Sequence, residues 1–237
     1  MNTSEKIYDV TTYGRSSIDL YSQEVGAPFE DIPGFHAFVG GSPLNIAVGC
    51  SRLGLKASLL TGVGKDKVGD FLLNFLKKEN VITENIPVIE GARSSAVLLG
   101  IEPPDRFPLV YYRDNCADSQ ITIDHVLKAG IEKSRMLEVS GTALNIEPTR
   151  SSAFLAAEIA RKNAIPVMLD LDFRADQWHD IRAFGITTRA FMRNANIVLG
   201  TEEEILAAFL ADKSQLVISH QQISAPEIKG DIDEAIQ

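Results

Sequence analysis

Short apolar runs alternate with amphipathic helical patterns along most of this chain, and this alternation restricts its fold more than any other feature. The predicted strands are Tyr8–Tyr13, Leu59–Val63, Met136–Val139, Val167–Leu171 and Ile197–Leu199. Helical patterns follow Asp66 and cover Thr149–Lys162 and Glu202–Leu210. Strands rich in Val, Ile and Leu that alternate with helices are typical of a mostly parallel sheet covered by helices. We therefore predict an α/β fold.

The predicted helices carry recognisable start and stop residues. Gly40 and Gly41, with Pro43 in the first helical turn, predict a tight turn that begins a helix, and Gly54 ends it. Asp66 is placed to cap the next helix, whose apolar residues recur every three or four positions. Each element therefore agrees with the α/β pattern at its ends as well as along its length.

Two segments interrupt the alternation. Ser22–Val39 contains two prolines and three phenylalanines without a helical period, and Arg93–Arg113 contains an alternating strand pattern followed by Pro103-Pro104. We predict that residues 20–39 and 93–113 form a small separate β-sheet. This sheet is a candidate lid over one end of a single domain that spans residues 1–237.

Length and charge exclude several classes of protein. A chain of 237 residues with 45% hydrophobic residues is long enough for one large domain and too apolar to be disordered. Its net charge of −9 argues against a nucleic-acid partner, which requires clustered Lys and Arg. No stretch approaches the roughly 18 apolar residues of a membrane span. Cys50 and Cys116 form no disulfide framework, and Met1–Asp9 lacks a signal-peptide core, so we expect a cytoplasmic protein.

The C-terminal region departs from the α/β rhythm. Leu216–Ser219 has strand character, and Asp231–Ile236 is typical of the beginning of a helix. Because an α/β chain rarely ends where a helix begins, we expect this chain to be truncated.

Candidate binding residues follow the first strand and the glycine turn. Asp19 comes shortly after Tyr8–Tyr13, where a carboxylate at the carboxyl edge of a parallel sheet can accept hydrogen bonds from sugar hydroxyls. Backbone amides at Gly40-Gly41 can donate to a ligand, and Asn45 in the first helical turn can bond a hydroxyl. A solvated loop aspartate and a plain glycine turn explain the same residues.

A second group combines carboxylates with guanidinium groups. Asp170, Asp172 and Arg174 occupy alternate positions at a strand end, which places them on one face where α/β proteins bind ligands. Arg113 ends an inserted strand, and its guanidinium suits a carboxylate or phosphate. An internal ion-pair cluster and a surface arginine are the structural alternatives.

A third group is the segment Gly200-Thr-Glu-Glu-Glu204. Thr201 and Glu204 have the spacing of a capping box, whereas a functional interpretation makes one glutamate an outer ligand of Mg²⁺ through water. Gly62-Val-Gly64 does not continue into a dinucleotide-binding fingerprint, and no Walker A sequence occurs.

Six segments in order resemble the ribokinase/PfkB family of carbohydrate kinases, and within it the branch that phosphorylates 5-dehydro-2-deoxygluconate in inositol breakdown. They cover roughly Tyr8 to Leu210 and are Gly14-Arg-Ser-Ser-Ile-Asp19, Gly40-Gly-Ser-Pro-Leu-Asn45, Gly62-Val-Gly-Lys-Asp-Lys-Val-Gly69, Tyr111-Tyr-Arg-Asp-Asn-Cys-Ala-Asp118, Asp170-Leu-Asp-Phe-Arg174 and Gly200-Thr-Glu-Glu-Glu204.

The resemblance implies a three-layer α/β domain with a β lid that often serves as a dimer interface, so we expect a homodimer. It also implies ATP and Mg²⁺ as cofactors and a small sugar acid as substrate. The residues that it assigns to substrate binding are Asp19, Gly40, Gly41, Asn45, Arg113, Asp172 and Arg174. Arg113 and Arg174 would meet the carboxylate, and Glu204 would influence Mg²⁺ through water.

One family signature is not found. No Asp-Thr-x-Gly-Ala-Gly-Asp stretch, which carries the catalytic base and an anion hole in this family, occurs in residues 1–237. We therefore expect this chain to supply the substrate-binding half of the site and no catalytic base. The alternative is a non-catalytic sugar-acid-binding or oligomerisation module on the same half-domain. A nicotinamide-dependent oxidoreductase would need the dinucleotide fingerprint that the sequence lacks.

Overall fold

A computed structural model of the chain describes residues 5–104, 106–210, 212–217 and 227–236. The strands are β1 (Val10–Tyr13), β2 (Ser17–Ser22), β3 (Phe35–Gly40), β4 (Ala57–Leu60), β5 (Val63–Gly64), β6 (Val88–Ile89), β7 (Ser95–Leu99), β8 (Leu109–Tyr112), β9 (Leu137–Ser140), β10 (Val167–Asp170), β11 (Ile197–Leu199), β12 (Leu216–Val217) and β13 (Glu227–Ile228). The α-helices are α1 (Ser42–Arg52), α2 (Lys67–Lys78), α3 (Ile123–Ala129), α4 (Thr149–Lys162), α5 (Ile181–Met192), α6 (Glu202–Phe209) and α7 (Ile232–Ile236).

The central sheet is parallel throughout, as the sequence predicts. Its strand order is β11-β10-β9-β1-β4, with β1 between β4 and β9. Consecutive parallel strands need a crossover, and helices supply those crossovers here. The carboxyl ends of all five strands therefore meet at one edge of the sheet, which is where α/β folds bind ligands.

Two apolar cores lie on opposite faces of this sheet. Leu59 belongs to the core beneath α1 and α2, whereas the next residue, Leu60, belongs to the core beneath α3, α4 and α5. Successive strand residues point to opposite faces, so both faces of β4 are buried. The result is a sandwich of helices, sheet and helices, and the predicted three-layer α/β fold is confirmed.

The interrupting segments form a separate four-stranded sheet with the order β3-β2-β7-β8. We call this sheet the lid. It begins at Ser17, earlier than predicted, because only Gly14, Arg15 and Ser16 separate β1 from β2. Asp19 therefore lies within a lid strand, paired with Phe38 on one side and Val97 on the other, and not in a loop after the first strand.

Several elements differ from the prediction. Helix α5 carries Gly185 and two consecutive threonines, which are poor helix formers, and the sequence does not predict it. A Cβ atom on Gly185 would lie 2.7 Å from the Ala208 carbonyl oxygen, so close packing against α6 stabilises this helix. The predicted strand Leu59–Val63 is divided into β4 and β5.

The C-terminal elements are short. The predicted strand Leu216–Ser219 is seen as β12, while residues 218 and 219 lie outside the described residues. The helix predicted at Asp231–Ile236 is seen as α7. Across the described part of the chain, no helix has the length and apolar character needed to cross a membrane.

Candidate active site

A cavity of about 600 Å³ lies between the lid and the carboxyl edge of the parallel sheet. Its walls come from both layers: β2 and β8 contribute from the lid, and the first turn of α1 and the loop after β10 contribute from the α/β layer. Six lining residues carry the argument that follows: Arg15, Asp19, Gly41, Asn45, Tyr111 and Arg174. Four of the seven residues predicted to bind substrate therefore share one cavity.

The glycine pair brings the lid and the first helix together. A Cβ atom on Gly40 would lie 2.1 Å from the Asp19 carboxylate, and one on Gly41 would lie 2.2 Å from the Arg15 carbonyl oxygen. Gly41 also has a φ of 106°, which L side chains rarely adopt. Gly40 does not line the cavity, and its contribution is the space that it leaves beside Asp19. Asn45 is exposed one turn into α1 and faces the cavity.

Asp19 is a partly buried carboxylate held by a neighbouring hydroxyl. Ser17 Oγ donates to Asp19 Oδ1 at 2.6 Å. Burial raises the pKa of Asp19, while the charge of Arg15 and the Ser17 hydrogen bond oppose the rise. The remaining carboxylate oxygen can accept a hydrogen bond from a ligand hydroxyl.

Arg174 is fixed in place by Asp172, Glu204, Tyr111 and the Phe173 carbonyl, to which its Nη1 atom donates at 2.7 Å. Its Nη2 atom lies 2.6 Å from Asp172 Oδ1, and its Nη1 atom lies 3.7 Å from Glu204 Oε1. Its Nε atom donates to the Tyr111 hydroxyl at 3.1 Å. The side chain remains 20% exposed, which leaves it accessible from the cavity. Of the two carboxylates predicted to share a face with Arg174, Asp172 forms an ion pair with it, which matches the structural alternative of an internal ion-pair cluster.

Asp172 lies beneath Arg174 and does not line the cavity. Its other oxygen accepts hydrogen bonds from Ser140 and Thr142, at 3.0 and 3.3 Å. Its φ of 37° shows that β10 has already ended, so a tight bend, rather than strand alternation, brings Asp172 and Arg174 together. Asp170 instead bonds the Ser42 hydroxyl at the start of α1. Asp172 therefore acts here by orienting Arg174, and a direct contact with substrate stays a prediction.

Arg113 occupies a different place from the one expected for a partner of Arg174. Its Nε atom pairs with Asp118 at 2.7 Å, its Nη1 atom donates to Gln177 at 2.7 Å, and its Nη2 atom donates to the Thr142 carbonyl at 3.0 Å. It lines a second cavity of about 470 Å³ that shares Tyr111 with the first. Arg113 and Arg174 therefore line adjoining cavities that share Tyr111, and the charges of both act on Asp176.

Arg15 is a residue of the site that the sequence analysis missed. It is only 5% exposed, lines the first cavity, and its guanidinium lies 5.3 Å from the centre of the Tyr111 ring. In the segment Gly14-Arg-Ser-Ser-Ile-Asp19, the sequence pattern points to the aspartate alone. The available signal was the position of an arginine directly after a central strand, where the carboxyl edge of the sheet lies.

Glu204 fulfils the capping box that its spacing predicts. Its carboxylate accepts the Thr201 amide at 2.9 Å and the Phe173 amide at 3.1 Å, and the Thr201 hydroxyl accepts the Glu204 amide at 3.3 Å. Burial raises the pKa of Glu204, which the Thr201 amide and Arg174 oppose. Within the described ranges, no group of three or more His, Cys, Asp or Glu side chains is placed to hold a metal ion directly. The donor set therefore fits Mg²⁺ only through water, since both oxygens of Glu204 already accept backbone amides.

These groups define a class of site. A carboxylate and an amide that can bond hydroxyls share one cavity with two guanidinium groups that both contact Tyr111, at the ligand-binding edge of an α/β sheet and beneath a lid. Such a cavity is suited to a small molecule with several hydroxyl groups and one negative charge.

Comparison with known proteins agrees with this description. The chain belongs to the pfkB family of carbohydrate kinases, which it matches over residues 8–226. It is similar to a 5-dehydro-2-deoxygluconokinase from Bacillus anthracis, with 34% identity over 198 residues that cover 83% of this chain and 60% of the relative. The chain thus spans about 60% of the length of the curated relatives that it matches.

Solved structures show the same fold. A PfkB protein from Polaromonas sp. superposes with a TM-score of 0.79 at 24% identity, covering 85% of this chain and 68% of that chain. A sugar kinase from Pyrococcus horikoshii, solved in complex with ATP, superposes with a TM-score of 0.75 at 28% identity, covering 84% of this chain and 65% of that chain. The predicted family and its ribokinase-like fold are confirmed.

Proposed function

We propose that this chain takes part in ATP-dependent phosphorylation of a sugar acid of the 5-dehydro-2-deoxygluconate type at its terminal hydroxyl, and that it supplies mainly the substrate-binding half of the site. The observation that carries the proposal is that Tyr111 contacts the guanidinium groups of both Arg15 and Arg174 in one cavity. The same proposal places the reaction in inositol breakdown in the cytoplasm.

The cavity is lined by groups that bond hydroxyls and by guanidinium groups, which supports a ligand that carries both hydroxyls and a carboxylate. Asp19 and Asn45 offer an acceptor and an amide, which suit vicinal hydroxyls. The guanidinium groups of Arg15 and Arg174 in the same cavity suit a carboxylate, which a guanidinium can bind through two parallel hydrogen bonds. A neutral sugar would leave Arg15 without an anionic ligand, and leaving buried polar groups unpaired is the strongest source of discrimination between ligands.

The family implies that ATP supplies the phosphoryl group. It also implies Mg²⁺, whose charge would stabilise the phosphoryl group during transfer. Thr201 and Glu204, after β11, are the described residues that would face the metal and its phosphates, with Glu204 acting through water. These residues orient the loop after β10 through the Phe173 amide and Arg174. Their contribution is therefore to hold the substrate side of the site in a fixed position relative to the nucleotide.

We also propose that the chain forms a homodimer through the lid. The lid presents large apolar side chains to solvent, with Tyr112 58%, Phe38 49% and Val110 40% exposed. Burial of such a patch against a second copy would remove it from water. Sedimentation should show a dimer that Tyr112→Glu converts to monomer, and a monomeric wild-type chain would contradict the proposal.

Calorimetry with the chain tests the central proposal. We expect 5-dehydro-2-deoxygluconate to bind, and the alcohol in which CH₂OH replaces its carboxylate to bind far more weakly. A coupled assay of ADP release should be run on the same preparation with ATP and Mg²⁺. Binding of the acid without ADP release is the result expected of a chain that supplies only the substrate-binding half, and the non-catalytic sugar-acid-binding module predicts it as well. ADP release that depends on the acid would contradict that part of the proposal. Equal affinity for acid and alcohol would refute the assignment of an acid substrate.

A further inference from the structure

Arg15 is a buried cation that makes no direct ion pair with a described residue, although the charges of Asp19 and Asp176 act on it over a longer distance. Its residue is 5% exposed, and within the described chain no carboxylate oxygen lies within 4 Å of its guanidinium. One donor, Nε, is buried and makes no hydrogen bond. Buried charges in proteins are normally paired, because removing a charge from water is costly. Arg15 is therefore an exception that needs an explanation.

The other two arginines of this region are already neutralised. Arg174 lies between Asp172 and Glu204, and Arg113 pairs with the buried Asp118. Both guanidinium groups also donate to backbone carbonyls, at Phe173 and Thr142 respectively. An incoming carboxylate would have to compete with these internal partners for either of them.

The surroundings of Arg15 leave it available to a ligand. Its Nη1 atom donates to Ser17 Oγ at 2.9 Å, and that hydroxyl in turn donates to Asp19 at 2.6 Å. The serine thus holds Arg15 and Asp19 in a fixed relation without joining them in an ion pair. The guanidinium lies over the Tyr111 ring, and all three of these side chains, Arg15, Asp19 and Tyr111, line the same cavity.

We propose that Arg15 is the residue that receives the carboxylate of the ligand and makes the site specific for an acid over a neutral sugar. This inference rests on the proposed function. Tyr111 contacts both Arg15 and Arg174, and Arg174 contributes a second positive charge, which Asp172 already compensates. Arg113 is then a support that joins the end of β8 to the loops at Thr142 and Gln177.

The proposal predicts a specific change in ligand preference. In Arg15→Gln, affinity for the sugar acid should fall about 10- to 100-fold, which corresponds to the loss of charge-assisted hydrogen bonds. Affinity for the matching alcohol should not change, because Asp19 and Asn45 still hold its hydroxyls. Arg15→Lys should keep part of the preference, since a lysine retains the charge but not the two-pronged geometry.

Two other arginine variants complete the experiment. Arg106→Gln removes an exposed lid arginine paired with Glu102 and should bind both ligands as the wild-type chain does. Arg113→Gln tests the competing assignment, and we expect a lower melting temperature, because Asp118 loses its buried partner, with the acid preference retained. Melting curves of every variant establish that each one is folded, and if Arg15→Gln does not fold, Arg15→Lys carries the test.

The outcomes separate this inference from the function on which it rests. If the wild-type chain binds no sugar acid, the proposed function is wrong, and the role of Arg15 falls with it. If the wild-type chain prefers the acid and Arg15→Gln keeps that preference, only the role of Arg15 is wrong. Loss of the preference in Arg113→Gln instead would assign the carboxylate to Arg113.

Discussion

Glu138 offers a direct test of the packing of the parallel sheet. It lies on the central strand β9, in register with Thr12 on β1 and Met168 on β10, and is 0% exposed. Neither of its carboxylate oxygens makes a hydrogen bond of ordinary geometry with a described residue, although the Tyr13 backbone lies near enough to interact with the carboxyl group. Burial, together with the nearby charges of Asp170 and Asp172, raises the pKa of Glu138 well above its usual value, and the Tyr13 backbone opposes this only in part.

The structure sets the expected magnitude for Glu138→Leu. A buried polar group without a partner costs about 1–3 kcal/mol of stability, and leucine of similar volume removes that cost. For a chain of this size, 1 kcal/mol shifts the melting temperature by about 2–4 °C, so we expect a rise of roughly 2–12 °C. The substitution is stabilising, which is unusual for a change in the middle of a core.

Glu138→Gln tests how ionisation of Glu138 changes the free energy of unfolding, because glutamine does not ionise. The folded chain keeps the Glu138 proton at pH values where the unfolded chain has released it, so stability from this group is full below the ordinary pKa of 4.5 and is lost as pH rises toward the folded value. Urea denaturation of wild type and Glu138→Gln from pH 5 to pH 9 measures this. The wild-type free energy of unfolding should fall with pH relative to that of the variant.

Two results would contradict this reasoning. Parallel pH profiles for wild type and Glu138→Gln would mean that Glu138 has the same pKa in the folded and unfolded chains. A destabilised Glu138→Leu would mean that the carboxyl group has a partner in solution. Met168→Leu, on the neighbouring strand, is a matched control that changes packing without changing any charge.

Three further predictions concern the site and its supports. Arg174→Ala should weaken binding of the sugar acid about 10-fold or more by calorimetry, and an unchanged affinity would remove Arg174 from the site. Gly41→Ala should destabilise the chain by about 1–3 kcal/mol in urea, because its φ is 106° and Arg15 blocks the added methyl group, whereas Gly49→Ala in the open middle of α1 should not be destabilising. Asp66→Ala should cost about 1–2 kcal/mol through loss of the α2 cap, and an unchanged urea midpoint would contradict that role.

Features that depend on neighbouring residues were predictable from the sequence. Asp66 caps α2 through the Gly69 amide, and Thr201 and Glu204 form their capping box, because each interaction needs only the local spacing. The helix Thr149–Lys162 follows Pro148 with the predicted bounds for the same reason. The alternation of strand and helix patterns also predicts the parallel sheet, because each crossover between parallel strands leaves few possible strand arrangements.

Features that depend on distant partners were not predictable. Arg113 has the position expected of a ligand-binding arginine, but Asp118 and Gln177 satisfy it, and Gln177 is 64 residues away. Arg15 is the opposite case, because only the folded structure shows that its guanidinium makes no direct ion pair with any described carboxylate, even though Asp19 is joined to it through Ser17. The sequence pattern suggests a loop position for Asp19, because the three-residue link after β1 is too short to be recognised as a break between two sheets.

That three-residue link has a mechanical consequence. Ser16 is tied on both sides, with its hydroxyl 3.0 Å from Thr61 Oγ1 and its carbonyl accepting the Ser95 hydroxyl at 2.6 Å. The lid is thus tied at its root to the α/β layer through Thr61, immediately next to Arg15. Ser17 holds Arg15 and Asp19 in a fixed relation at the same root. A ligand that enters the cavity therefore meets this cation and this carboxylate already arranged.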